Sequence, residues 1–256
     1  MATMDGAIQS GDLKLAAHVA RPARAAVGPR PALVLCHGFP AGPRGALTSA
    51  QTYPDLADHL AAETGWTVVA FNFRGAGESE GDFSLLGWID DLRAVVDHAV
   101  DMPRAGGVWV AGSSAGGAVA LCTAADDDRI LGVATLAAPA EFDNWASDAR
   151  AFLAHCRLVG VIREAGFPPD VEAWASEFKQ VQPLTAVAGI PPRPLLLMHG
   201  SDDPTVPVSD ARALADAAGG PRHADLRVIT GAGHRLRHDP RAVAALIGWM
   251  ERQGVG

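Results

Sequence analysis

The sequence predicts an α/β domain: a mostly parallel sheet, wound with helices on both faces, that carries an N-terminal antiparallel hairpin and a small helical cap. Three observations lead there. Short apolar runs alternate with segments of helical spacing, which calls for crossover connections and a sheet buried on both sides. The chain has 256 residues of which 48% are hydrophobic, enough for one large core. One stretch of about fifty residues, from Ala140 to Gly189, shows helical segments and no strand, too long for a plain loop in a compact domain.

The elements follow in order. Gly6 to Ala20 reads as two short strands around the turn-forming cluster Ser10-Gly11-Asp12. After the prolines at 22, 29 and 31, "ALVLC" reads as a buried strand running into the loop His37-Gly38-Phe39-Pro40. A helix is predicted over Gln51 to Thr64, a strand over "TVVAFNF" (67–73), and then the glycine loop "RGAGESEG". Leu85 to Met102 places Ile89, Leu92, Val95 and Val96 on one helical face. The strand "GVWVAG", a helix from about Ala115 and the strand "GVATLAA" (132–138) come next. Past the cap, strands at 194–200 and 225–231 each precede a helix, over Ser209–Ala218 and Pro240–Arg252. The expected division is therefore a core over 1–139 and 190–256 with a cap over 140–189. The aromatic residues of the cap are read as its own core and docking surface.

Composition narrows the function. The formal net charge is −8 with no basic run, which disfavours nucleic acid and anionic membranes as partners. Cys36, Cys122 and Cys156 are an odd, widely spaced set, suited to neither a disulfide framework nor a zinc site, and read as buried free thiols. The opening "MATMDGAIQS" lacks the pattern of a secretory leader, and no run of about 18 apolar residues suggests a membrane span. A cytoplasmic protein is therefore expected, and neither metal nor nucleotide cofactor, since no Cys/His/Asp set has metal spacing and no G-x-G-x-x-G follows the first strand.

The chemistry centres on Gly112-Ser113-Ser114-Ala115-Gly116, a G-x-S-x-G pattern between a predicted strand and a predicted helix. Chance supplies roughly 0.1 such matches in a chain of this glycine and serine content, so the strand-turn-helix setting carries the weight. Ser114 at the centre has glycines two residues away on either side. A frame on Ser113 would put Ala111 and Ala115 there, possible but less roomy. A serine needs a base held by a third group. His234, in a Gly-x-Gly loop after a strand, suits that task, with His238 as its local rival. Asp202 and Asp203 follow the end of another strand, and chemistry alone leaves either as the acid.

Ser114, an aspartate at 202–203 and His234, in that order, resemble the α/β-hydrolase superfamily over nearly the whole chain, and the 35–90 region with its glycine loop "FNFRGAGESEG" resembles the small prokaryotic serine-aminopeptidase and lysophospholipase-like members. The family pattern H-G-x-x-D-x-x-V-P, matched by "HGSDDPTVP", implies Asp203 as the acid. The resemblance further implies an oxyanion hole from the Phe39 and Ala115 amides. His37 and His199 fall in family motifs and are read as structural. "HGFP" stands where another branch carries H-G-G-G, which argues against bulky tertiary-alcohol esters. The expected activity is hydrolysis of a small or medium carboxylic ester by Ser114, His234 and Asp203. Phe39, Trp145 and Phe152 would contact a small-molecule substrate. An amidase, peptidase, thioesterase or C–C hydrolase could use the same triad, and a non-catalytic ligand-binding protein is the alternative of another class. His155, Arg157 and Arg163 are read as the solvated face of a cap helix, the other possibility being recognition of an acidic substrate.

Overall fold

The apolar runs pair into one eight-stranded sheet. The structure, a computed structural model, describes residues 4–22, 29–48, 51–102 and 105–253. Residues 1–3 of the opening segment therefore lie outside the described residues. β2 (Leu13–Ala20) runs antiparallel to both its neighbours, β1 (Gly6–Ser10) and β4 (Thr67–Phe71), while β4, β3 (Arg30–Cys36), β5 (Ala105–Ser113), β6 (Ile130–Leu136), β7 (Leu195–Gly200) and β8 (Asp225–Ile229) pair parallel, in the order β1-β2-β4-β3-β5-β6-β7-β8.

Side chains alternate across the strands, and this divides the core into two layers. Val34, Val69, Phe71 and Val110 face α2 (Leu85–Val100) and α3 (Ala115–Asp126). Leu33, Leu35, Val68 and Ala70 face α1 (Tyr53–Thr64) and α9 (Pro240–Gln253). Both faces of the sheet are thus dry, which is why its strands read as continuous apolar runs. α8 (Val208–Ala217) packs Leu214 and Ala215 onto the first layer.

β4 stops two residues short of the predicted strand. Asn72 N–H still reaches Ala16 O, but Phe73 N–H is diverted to the imidazole of His37 at 3.0 Å, and the chain leaves the sheet. β8 stops at Ile229 likewise, with Gly231 at φ 73° donating to Ser201 Oγ.

Between β6 and β7 lie four helices: α4 (Asp143–Ser147), α5 (Ala149–Val159), α6 (Val171–Gln180) and α7 (Pro183–Ala186). Phe142, Trp174 and Phe178 are buried in the same layer as α2 and α3. Glu177 on α6 accepts from Ser84 Oγ and from the Leu85 and Leu86 amides, so it caps the start of α2 from across the chain. Trp174 Nε1 donates to Phe83 O at 3.0 Å. Arg163 donates to the carbonyls of Gly75, Gly77 and Ser79, and Arg157 to those of Ala165 and Phe167. These two guanidiniums tie backbone segments together, which corrects the reading of them as a merely solvated face. Among the described residues no helix is long and apolar enough to cross a membrane.

Candidate active site

Ser114 sits between the last residue of β5 and the first of α3 with φ 50° and ψ −127°. A non-glycine residue held there is strained, and such strain persists only where surrounding bonds impose it. Ser114 N–H donates to Leu136 O at 2.8 Å, while Ser114 O accepts from the Gly117 and Ala118 amides. The flanking glycines are where the turn has no room. A Cβ on Gly112 would stand 2.3 Å from Gly116 O, and one on Gly116 would stand 2.2 Å from His37 O. Both obstacles are backbone. Gly116→Ala is therefore expected to lower stability by about 1–3 kcal/mol through overpacking, read as a fall in the thermal midpoint, and to reduce any activity of this site in parallel.

The structure brings the three predicted residues of the triad together. His234 Nε2 lies 3.0 Å from Ser114 Oγ, and His234 Nδ1 lies 2.8 Å from Asp203 Oδ2. An ionised carboxylate can only accept, so the ring proton belongs on Nδ1, leaving Nε2 to accept from the serine hydroxyl. The Asp203 side chain is fully buried, and its Oδ1 accepts from the Thr205 and Val206 amides at 2.8 and 3.0 Å. His199, also buried, has Nε2 at 2.9 Å from Val206 O and 3.4 Å from Asp203 Oδ2. It braces the turn that holds Asp203. Asp202 is exposed instead, accepting from Ser201 Oγ at 2.6 Å. His238 follows on a 3₁₀ turn over Leu236–His238; burial first, then the Arg237 and Arg235 guanidiniums, hold its pKa below the ordinary histidine value.

Above Ser114 opens a cavity of about 1260 Å³, lined by Ala115, Phe39, Trp145, Phe152 and His234 among others. Phe39 packs with Trp145, Phe152 and His155 at ring-centroid distances of 5.1, 5.4 and 5.9 Å, forming one aromatic wall. His155 is thus part of the wall, a placement its spacing in the sequence did not reveal. Glu141, Asp143, Asp202, Asp210 and Asp239 also line the cavity against a single guanidinium, Arg235, so its lining is acidic on balance. Ala115 is the first residue of α3, where helix geometry leaves the amide without an intrahelical acceptor and the dipole is positive.

The three cysteines are buried and free, with burial pushing the Cys122 thiol up to about 12 and those of Cys36 and Cys156 higher still. They are poor nucleophiles there. Among the described residues no group of three or more His, Cys, Asp or Glu is arranged to hold a metal ion.

Residues 31–155 match the family profile described as "alpha/beta hydrolase fold". This chain has the α/β-hydrolase fold. Est1E from Butyrivibrio proteoclasticus, solved with ferulic acid bound, superposes with a TM-score of 0.71 at 21% identity, over 97% of each chain. The α/β-hydrolase GrgF from Penicillium sp. sh18 superposes with a TM-score of 0.74 at 18% identity, over 98% of each chain. In sequence, the quorum-quenching protein AidA of Acinetobacter baumannii (strain MDR-ZJ06) is 30% identical over 140 residues, 52% of this chain but only 42% of AidA.

Proposed function

We propose that this protein of α/β-hydrolase fold is a serine hydrolase that cleaves small or medium carboxylic esters through an acyl-enzyme. One observation carries the reading: Ser114, His234 and Asp203 form an unbroken hydrogen-bonded chain, at 3.0 and 2.8 Å, opening into the large cavity. His234 takes the proton of Ser114 as Oγ attacks the ester carbonyl, then returns it to the departing alcohol. The Phe39 and Ala115 amides receive the oxyanion. Asp203 holds the base in its working tautomer and steadies the imidazolium. Water, activated by the same imidazole, releases the acid. Phe39, Trp145 and Phe152 provide an apolar wall for the acyl group, and the excess of carboxylates in the lining weighs against substrates with a second negative charge. The likeness to Est1E, solved with ferulic acid bound, and to the quorum-quenching protein AidA supports the hydrolytic reading in kind, not in substrate.

The test is a fluorophosphonate probe followed by peptide mapping, with a panel of p-nitrophenyl esters, a thioester, an amide and a diketone. Rapid labelling at Ser114 and turnover of the esters are expected. A protein that is not labelled and turns over nothing would be a binding protein on this fold. Turnover of the amide, thioester or diketone in preference would keep the triad and change the bond cleaved.

A further inference from the structure

We propose that His37 is a positioning residue for the oxyanion donor: its imidazole fixes the Gly38–Phe39 peptide plane, whose amide is Phe39 N–H. This rests on the reading of Ser114 as nucleophile and of that amide as a donor. His37 is the first residue after β3 and is 1% exposed. Both of its ring nitrogens are committed. Phe73 N–H donates to Nε2 at 3.0 Å, so Nε2 carries no proton. The ring proton is then on Nδ1, which donates to Gly38 O at 2.8 Å.

A peptide is rigid and planar, with its carbonyl and amide pointing opposite ways, so holding Gly38 O sets the direction of Phe39 N–H. The same bond polarises the peptide and makes that amide a better donor. The imidazole itself cannot swing. Phe73, Trp88 and Tyr53 surround it in edge-on contacts, with centroids at 5.2, 5.5 and 6.2 Å. Burial, partly offset by the Gly38 bond and reinforced by Arg237, lowers its pKa to about 4, so the neutral tautomer persists through the neutral range. Gly38 meanwhile lies against the nucleophile's turn: a Cβ there would be 3.0 Å from Ser114 Cβ. The sequence placed His37 among structural residues. Its bonds connect it to the chemistry.

The experiment compares wild type, Ser114→Ala, His37→Leu, His37→Asn and His37→Gln. The readouts are kcat and KM for p-nitrophenyl butyrate, the Ki of phenylboronic acid, which forms a tetrahedral adduct on serine, and the thermal midpoint. Losing a whole oxyanion donor costs about 10²–10³ in rate, so misaiming one is expected to lower kcat in His37→Leu by about 10–100-fold with KM within about threefold. The boronate Ki should weaken by the same factor, which a purely structural role would not produce. Asn, whose amide can stand near Nδ1 and donate to Gly38 O, should recover part of both. Gln, which reaches the Nε2 position and not Nδ1, should not, and it decides the matter if the leucine variant fails to fold. A folded variant lacking the Gly38 bond yet keeping wild-type kcat and boronate affinity would overturn the inference alone. Boronate binding equally well to wild type and Ser114→Ala would overturn the nucleophile assignment, and this inference with it.

Discussion

Ser114→Ala is expected to lower kcat for a short p-nitrophenyl ester by about 10⁵-fold or more, whereas Ser113→Ala is expected to cost less than about tenfold. The two residues are neighbours, yet the turn separates their roles. Ser113 is the last residue of β5, in register with Leu136 of β6. Ser114 is thrown out of the sheet at φ 50°, with its hydroxyl 3.0 Å from His234 Nε2. Alanine carries a Cβ just as serine does and meets the same backbone strain at this position, so the thermal midpoint should move by no more than a few degrees. Stability retained together with activity lost separates removal of the attacking atom from damage to the fold. A triad serine works as one unit with its base, so adding His234→Ala to Ser114→Ala should cost little further. Equal losses from Ser113→Ala and Ser114→Ala would place the reactive frame elsewhere.

The sheet was legible because its strands are buried on both faces. A run such as "LVLC" has no polar residue to expose, and only a parallel sheet covered by helices hides it completely. The lateral order of strands is another matter. Nothing in the local sequence says that β4 lies between β2 and β3, because order depends on which crossover reaches which edge. Strand ends were blurred for a similar reason. "TVVAFNF" continues its apolar character to Phe73, and only the distant imidazole of His37 shows why the ladder stops earlier.

In the site, Ser114 and His234 could be read from local setting: small neighbours on a strand-to-helix turn for one, a glycine-bounded loop after a strand for the other. The aspartates could not be separated by chemistry. Both sit on one tight turn, and the difference lies in which carboxylate turns inward. Asp203 is turned in and held by the Thr205 and Val206 amides, while Asp202 bonds its neighbour Ser201 at the surface. Arg163 illustrates the opposite limit. It looks like an exposed cation on a helical segment, and its partners at Gly75, Gly77 and Ser79 lie more than eighty residues away.

Asp203→Asn is expected to lower kcat by about 10⁴-fold with a small effect on KM, and Asp202→Asn to leave both within about threefold. The argument runs through donors and acceptors. In the native site Asp203 Oδ1 faces two N–H donors, from Thr205 and Val206, and Oδ2 faces His234 Nδ1. Asparagine has one oxygen and one NH₂ to place in the same buried positions. Turning its NH₂ toward Thr205 and Val206 would set donors against donors, so the oxygen stays there and the NH₂ points at His234. Facing a donor, the neutral ring must present a bare Nδ1 and carry its proton on Nε2. That nitrogen then opposes the serine hydroxyl with a proton of its own and cannot accept another. The side chains occupy their native places and the base is in the wrong tautomer, so the loss falls on kcat, with labelling of Ser114 by a fluorophosphonate slowed in proportion. Full activity in Asp203→Asn alongside collapse in Asp202→Asn would move the acid one residue earlier and require the 202–206 turn to rearrange when substrate binds.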